Sequence, residues 1–312
     1  MSKSIAIVIP VYREEKNLNA LHNRLESVTT KITQISWQYI FVNDGSPDDS
    51  FKVLCDLVKK DSKTKVIDLS RNFGKEVALS AGVHESGSVD AVICIDADLQ
   101  HPPELIPVLI EKWEEGAEVV VTVRKAIKGQ AIIRKIGSNL YYWLMKNFCN
   151  FEIIPKSTDF RLYDASVILA FKEITERERM FRSIMDWMGF KKEIVEFDAD
   201  ARHEGKASYS FPKLWSLATS SLTSFSLWPL RIAGYLGLLI TSLSGALLVW
   251  MLLNYFILGN LIYSPLAIAM IANTFFIGIV LMAIGIVAVY IGTIHIEVIN
   301  RPLYLIRKKI NF

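Results

Sequence analysis

Through its first 200 positions the chain alternates short apolar runs with stretches of helical period. Residues 4–10, 37–43, 65–69, 91–95 and 118–123 are near-continuous β-branched and apolar runs, the pattern of strands buried on both faces of a sheet. Between them, residues 14–30, 48–61, 75–86 and 103–115 space their apolar positions by three and four, which predicts helices. Strand–helix alternation at intervals of about 30 residues predicts an α/β domain with a mostly parallel sheet flanked by helices.

The pattern then changes. From Ile232 to Ile296 there is no Asp, Glu, Lys or Arg. Two apolar stretches, about 232–258 and about 266–291, each exceed the roughly 20 residues needed to cross a hydrocarbon core. The connector between them, Gly259 to Pro265, has a turn composition. They are read as two transmembrane helices. Arg231 precedes the first, and Arg301, Arg307, Lys308 and Lys309 follow the second. The positive-inside rule therefore places both termini and the N-terminal domain in the cytoplasm. Ahead of the first span, Leu214, Leu217, Leu222, Phe225 and Leu227 or Trp228 recur at helical spacing, and Trp215 and Trp228 are amphipathic rings. This segment is read as interfacial juxtamembrane helices, against the alternative of an ordinary packed helix. The predicted organisation is a catalytic domain over 1–209, interfacial helices over 210–231, two spans over 232–296 and a basic tail over 297–312.

Composition adds little to this division. The 312 residues are 51% hydrophobic with mean hydropathy +0.30, and the excess lies in the charge-free region. A net charge of +3 implies no strong nucleic-acid field and no nucleic-acid partner. Cys55, Cys94 and Cys149 form no CxxC pair and suit a reducing compartment. The N-terminus has no signal-peptide pattern and enters a strand-like run at once.

Candidate chemistry sits where the strands end. In an open parallel sheet, ligands bind beyond the carboxyl ends of the strands. The first strand runs into Pro10-Val11-Tyr12-Arg13-Glu14, the second into Asn43-Asp44-Gly45-Ser46, and the fourth into Asp96-Ala97-Asp98-Leu99-Gln100. No dinucleotide glycine fingerprint or P-loop follows any strand. Asp44-Gly45-Ser46 is also a good turn with a helix N-cap, and a DxD is common in loops. Two carboxylates at i and i+2 just past a buried strand have hard oxygen ligands suited to Mg²⁺ or Mn²⁺ beside a diphosphate.

Taken together, Val8-Ile9-Pro10-Val11-Tyr12, Asn43-Asp44-Gly45-Ser46, Arg71-Asn72-Phe73-Gly74-Lys75, Asp96 through Glu104 and Asp159-Phe160-Arg161-Leu162 carry a resemblance. In their order and spacing the chain resembles the polyprenyl-phosphate glycosyltransferases of glycosyltransferase family 2. Within them it is similar to the bacterial bactoprenol (undecaprenyl-phosphate) glucosyltransferases of O-antigen modification. The tail, with Tyr290-Ile291-Gly292 and Arg301-Pro302-Leu303-Tyr304, matches as well.

The resemblance implies a GT-A catalytic fold on the cytoplasmic face of a bacterial inner membrane. It implies transfer of a hexose, glucose from UDP-glucose first, to undecaprenyl phosphate with inversion. UDP-GlcNAc, UDP-galactose, a formylated aminoarabinose nucleotide and GDP-mannose are the alternative donors. A non-catalytic lipid transporter or regulator is the rival class, disfavoured by two spans without a charged interior. Pro10, Tyr12, Glu14 and Asp44 would line the nucleoside pocket, Arg71 and Lys75 would be among the substrate-binding residues, and Asp96, Asp98 and Gln100 would hold a divalent metal, Mg²⁺ or Mn²⁺. Asp159 would lie near the acceptor as a base or a positioning group, and Arg202 would reach the phosphates. Arg124 and Arg134 would receive the lipid phosphate, and Ser208 and Tyr209 belong to the motif after Arg202. A homo-oligomer, a tetramer, is the implied assembly. The chain departs from the family pattern at Thr158, at Ser208, where a lysine is usual, and at Val289 and Thr293 in the second span.

Overall fold

The computed structural model describes residues 3–125, 154, 157–176, 180–197, 249, 250, 253 and 264–312. Met1–Ser210 with Arg301–Phe312 form one compact unit, and Phe211–Asn300 form a second. The juxtamembrane segment at 210–231 and the first apolar stretch up to 248 lie outside the described residues, as do Arg134, Arg202, Ser208 and Tyr209.

Among the described residues, the first unit holds an eight-stranded sheet. In chain order the strands are β1 Lys3–Val11, β2 Ile35–Asn43, β3 Thr64–Leu69, β4 Ala91–Cys94, β5 Val119–Arg124, β6 Ser157–Asp164, β7 Lys192–Phe197 and β8 Ile306–Ile310, arranged 7-5-6-4-1-2-3-8. The five strands and four helices predicted from periodicity are all present, as β1 to β5 and as α1 Leu18–Thr29, α2 Ser50–Lys60, α3 Lys75–His84 and α4 Ile106–Glu114. Strands β3, β2, β1 and β4 are parallel neighbours. Ile5, Ile7, Val8 and Ile9 are fully buried, as expected where helices cover both faces. On α1, Leu18, Leu21, Leu25 and Val28 bury one stripe into the same core. On α3 the buried residues are small: a Cβ on Gly82 would lie 2.3 Å from Val8 Cγ1, so this glycine permits the helix to approach β1.

Three strands and two helices were not visible in the periodicity. Strand β6 is inserted antiparallel between β4 and β5, and β7 pairs parallel to β5 at one edge. The residues after β6 form α5 Ala165–Glu173 and α6 Phe181–Trp187. At the other edge the basic tail supplies β8, antiparallel to β3. The sheet is thus mixed, with its parallel half on the side that carries the three polar signatures.

Strand β6 holds a buried ion pair. Arg161 is fully buried; its Nη1 donates to Asp186 Oδ1 at 2.9 Å and its Nη2 to Ser157 Oγ at 2.9 Å. Lys192 Nζ approaches Asp186 Oδ1 at 3.2 Å, so β7 and α6 are tied to β6 through one carboxylate.

In the second unit, α7 Pro265–Ile299 is a continuous helix of 35 residues, about 50 Å at 1.5 Å per residue. Its one formally charged residue is Glu297. Leu266, Met270, Val280, Ile284, Ile291 and Val298 are exposed. Among the residues whose side chains the structure describes, no helix is long and apolar enough to cross a membrane. The two spans therefore remain a reading of the sequence.

Replacing Arg161 with Met leaves the Asp186 carboxylate buried with Lys192 as its remaining described cation. The expected loss is about 3 kcal/mol, read as a lowered thermal midpoint of the full chain. The double substitution Arg161→Met with Asp186→Leu is expected to recover most of that loss, because a buried pair exchanged for apolar groups is close to neutral.

Candidate active site

The register of the sheet brings the chemistry together. Strands β4 and β6 pair Ala91 with Asp164 through Cys94 with Arg161; continued by two residues, this register sets Asp96 opposite Asp159. Strands β1 and β4 pair Val8 with Cys94, which brings Pro10 beside the same point. Two carboxylates facing each other repel, and the first residue of α3 answers that repulsion. Lys75 Nζ lies 2.6 Å from Asp96 Oδ1 and 2.6 Å from Asp159 Oδ2. Arg182, on α6, adds a second cation with Nε at 3.5 Å from Asp159 Oδ1.

These contacts set the protonation states. Burial pulls Lys75 down, but the fields of Asp159 and Asp96 outweigh it and hold the ammonium above its ordinary value. Burial pushes the Asp159 carboxyl up, and Lys75 and then Arg182 overcome it, holding it well below the usual carboxylate range. Glu76, beside them, is raised by burial and then by the Asp159 charge; its Oε2 accepts the Phe181 N–H at 2.8 Å, which fixes the start of α6.

The Asp96–Gln100 loop has its own constraints. Leu99 adopts φ +62, a left-handed conformation uncommon for a leucine, and its side chain is buried. Asp98 Oδ1 accepts the Gln100 N–H at 3.1 Å. The Gln100 side chain is engaged by Arg124: its Oε1 accepts from Arg124 Nη2 at 3.0 Å. His101 is buried against Phe160, with Nδ1 3.7 Å from Asp96 Oδ2 and Nε2 3.5 Å from Arg124 Nη2. Burial lowers its pKa. Among the described residues, no group of three or more His, Cys, Asp and Glu side chains has metal-ligating geometry.

A second cluster lies at the ends of β1 and β2. Asp44 is buried, and it does not cap the helix that follows it. Its Oδ1 accepts from Phe73 N at 2.7 Å and its Oδ2 from Gly74 N at 2.9 Å, so it secures the approach to α3 and thereby Lys75. Burial raises its pKa. Gly45 sits at φ +62, where a Cβ would lie 2.4 Å from the Arg71 carbonyl carbon, so the 43–46 and 71–74 loops touch through backbone. Arg71 lies over the Phe73 ring at 4.0 Å. Glu14 Oε2 accepts from Asn17 Nδ2 at 2.6 Å, while Tyr12 is exposed. The backbone N–H of Arg13 reaches Ser46 Oγ at 3.3 Å.

Of the residues named from sequence, the structure brings Asp96, Asp98, Gln100, Asp159, Lys75 and Arg124 into one cluster, and Pro10, Tyr12, Glu14, Asp44 and Arg71 into the adjoining one. Sequence reading missed Arg182, which pairs with Asp159, and Glu76, whose carboxyl lies in the field of the Asp159 charge. His101 stood inside a quoted motif, but nothing in the pattern marked it as buried against Asp96. Three polar atoms of the first cluster, His101 Nδ1, Arg124 Nε and Asp159 Oδ1, are buried without a hydrogen-bond partner. Such atoms ordinarily find one in water or ligand.

The depressed Asp159 pKa has a sign for stability. A carboxyl that titrates below its unfolded value of about 3.9 stabilises fully above that value and loses this contribution as the pH falls. The thermal midpoint of the full chain is expected to drop more steeply from about pH 6 to about pH 3 than that of Asp159→Asn. Parallel slopes would mean that Lys75 and Arg182 do not hold the carboxylate.

The model of "Glycosyl transferase family 2" matches residues 6–170. The chain is 39% identical over 308 residues to an uncharacterized glycosyltransferase of Synechocystis sp., covering 98% of this chain and 95% of that one. It is 35% identical over 307 residues to the SfII prophage-derived bactoprenol glucosyl transferase of Shigella flexneri, covering 97% of each. Among solved structures, S. aureus TarS 1–349 in complex with UDP-GlcNAc superposes with a TM-score of 0.50 at 14% identity, covering 71% of this chain and 66% of that one, a likeness of fold. With its GT-A-type mixed sheet and the site at its carboxyl edge, the chain belongs to glycosyl transferase family 2 and is a glycosyltransferase.

Proposed function

We propose that the enzyme transfers a hexose, glucose from UDP-glucose, to undecaprenyl phosphate at the cytoplasmic face of a bacterial inner membrane. The product would be a lipid-linked sugar for O-antigen or other envelope glycan modification. The observation that carries the reading is the Asp96–Lys75–Asp159 cluster at the carboxyl edge of the sheet, beside the Asp44 loop. The near full-length likeness to a bactoprenol glucosyl transferase supports the choice of acceptor.

In this reading the nucleotide lies along the ends of β1 and β2, and the diphosphate lies over Asp96 and Asp98. Two carboxylates at i and i+2 fit a hard divalent cation that takes its remaining ligands from phosphate and water. Bound there, Mg²⁺ or Mn²⁺ would neutralise charge developing on the leaving UDP. The Gln100 amide is turned to Arg124, so the donor set is the two carboxylates. Lys75 shares Asp96, which keeps a cation beside the diphosphate position. A phosphate acceptor is already ionised near neutral pH and needs no proton removed. Asp159, drawn below the usual range, is a weak base, and its role is to position Lys75 and Arg182.

The membrane reading rests on sequence and on two structural observations. The apolar residues exposed along α7 form a surface that a soluble protein rarely leaves to water. The chain leaves the sheet unit after Ser210 and returns to it at Arg301 to supply β8. If 211–300 crosses a bilayer, it does so an even number of times. A long prenyl chain costs roughly 0.8 kcal/mol per CH₂ to draw into water, so the site must come to the headgroup plane.

Metal-dependent release of UDP in the presence of undecaprenyl phosphate tests the reaction. Asp96→Asn and Asp98→Asn are each expected to lower the rate about 100-fold or more; full activity in either would sink the metal assignment. In a donor screen against this one lipid, UDP-glucose is expected to give the highest kcat/KM, ahead of UDP-GlcNAc, UDP-galactose, the formylated aminoarabinose nucleotide and GDP-mannose.

A further inference from the structure

The tail that returns to the sheet does more than close an edge. Strand β8 is Ile306-Arg307-Lys308-Lys309-Ile310, and cations are common on an edge strand, where they discourage further pairing. Arg307 and Lys309 both make ion pairs, but to different places. Lys309 Nζ meets Glu85 Oε2 at 2.6 Å, at the far end of α3 from the site. Arg307 reaches the last residues of β3, just before the 71–74 loop.

Asp68 is 1% exposed, and both of its oxygens are engaged. Its Oδ2 accepts from Arg307 Nη1 at 3.2 Å, and its Oδ1 from Asn43 Nδ2 at 2.7 Å. Asn43 Oδ1 in turn accepts the Ser46 N–H at 3.3 Å. Arg307 Nη2 donates to the Ser70 carbonyl at 2.6 Å, and the Ser70 N–H donates to the Leu305 carbonyl at 2.9 Å. One guanidinium therefore supports two loops: 43–46 through Asp68 and Asn43, and 71–74 through Ser70. These are the loops that Gly45 brings into backbone contact and that Asp44 joins at Phe73 and Gly74.

We propose that Arg307 is a positioning residue for the nucleoside diphosphate, acting through Asp68, Asn43 and Ser70 on the donor loops. This rests on the reading of those loops as the nucleotide pocket. Losing the guanidinium leaves a buried carboxylate with the Asn43 amide as its remaining described hydrogen-bond partner, and frees the Ser70 end of the second loop. Both loops would then sample wider geometry before the nucleotide orders them, which weakens binding and leaves the donor-saturated rate intact.

The test is calorimetric titration of the purified full chain in detergent with UDP and Mn²⁺, alongside kcat, KM and thermal midpoint. Arg307→Met is expected to weaken UDP binding about fivefold and to raise the donor KM alike, with kcat within about twofold. Arg307→Lys is expected to recover part of the affinity, since a lysine supplies the charge for Asp68 without the second bond to Ser70. Lys309→Met, which unpins the same strand elsewhere, is expected to bind UDP as the unsubstituted chain does. If Arg307→Met does not fold, Asp68→Asn reads the same relay and is expected to weaken UDP to a similar degree. Unchanged UDP affinity in the Arg307 or Asp68 variants, or an equal loss in Lys309→Met, overturns the inference and leaves the nucleotide reading standing. An unsubstituted chain that fails to bind UDP overturns the nucleotide reading and this inference with it.

Discussion

The site depends on a cation between two opposed carboxylates. The antiparallel register of β4 against β6 puts Asp96 across from Asp159, and two like charges so placed repel each other. Lys75 contacts both at 2.6 Å and offsets that repulsion. Much of the surrounding structure serves that placement. Asp44 fixes the backbone just ahead of Lys75, Gly82 lets α3 sit close on β1, and Glu76 fixes the start of α6, from which Arg182 reaches Asp159.

The arrangement also explains why a mixed sheet suits this chemistry. A purely parallel sheet would place the ends of β1, β2 and β4 at one edge but would supply no residue from the opposite direction. Inserting β6 antiparallel runs a strand back out of that edge, so Asp159 faces the Asp96 loop. The cost is a buried Arg161 in that strand. The Asp186 carboxylate, Ser157 and the Thr158 carbonyl offset its desolvation, and in doing so they bind α6 and β7 to the sheet.

Strands β1 to β5 and helices α1 to α4 were legible because their burial is simple: apolar runs covered on both faces, or one apolar stripe. Strand β6 was not, because Ser157–Asp164 buries an arginine and ends on a carboxylate, and no hydropathy pattern anticipates a buried charge satisfied from a distant helix. Strand β7 buries Val195 and Phe197 and exposes Glu193, Ile194 and Glu196, a signal too short to stand out. Strand β8, with three cations in five residues, reads as a tail until β3 is seen to lack a neighbour on that side.

The sequence by itself determined the alternating α/β core, the charge-free region near the C-terminus and the polar signatures at three strand ends, since each depends on neighbouring residues or on local composition. Tertiary structure decided which of those signatures meet. Whether Asp96 faces Asp159, whether Asp44 serves its own turn or a loop 29 residues away, and whether Arg307 is a solvated tail charge or a brace for Asp68 all depend on sheet register and strand order. Those are set by long-range pairing, which no local window of sequence contains.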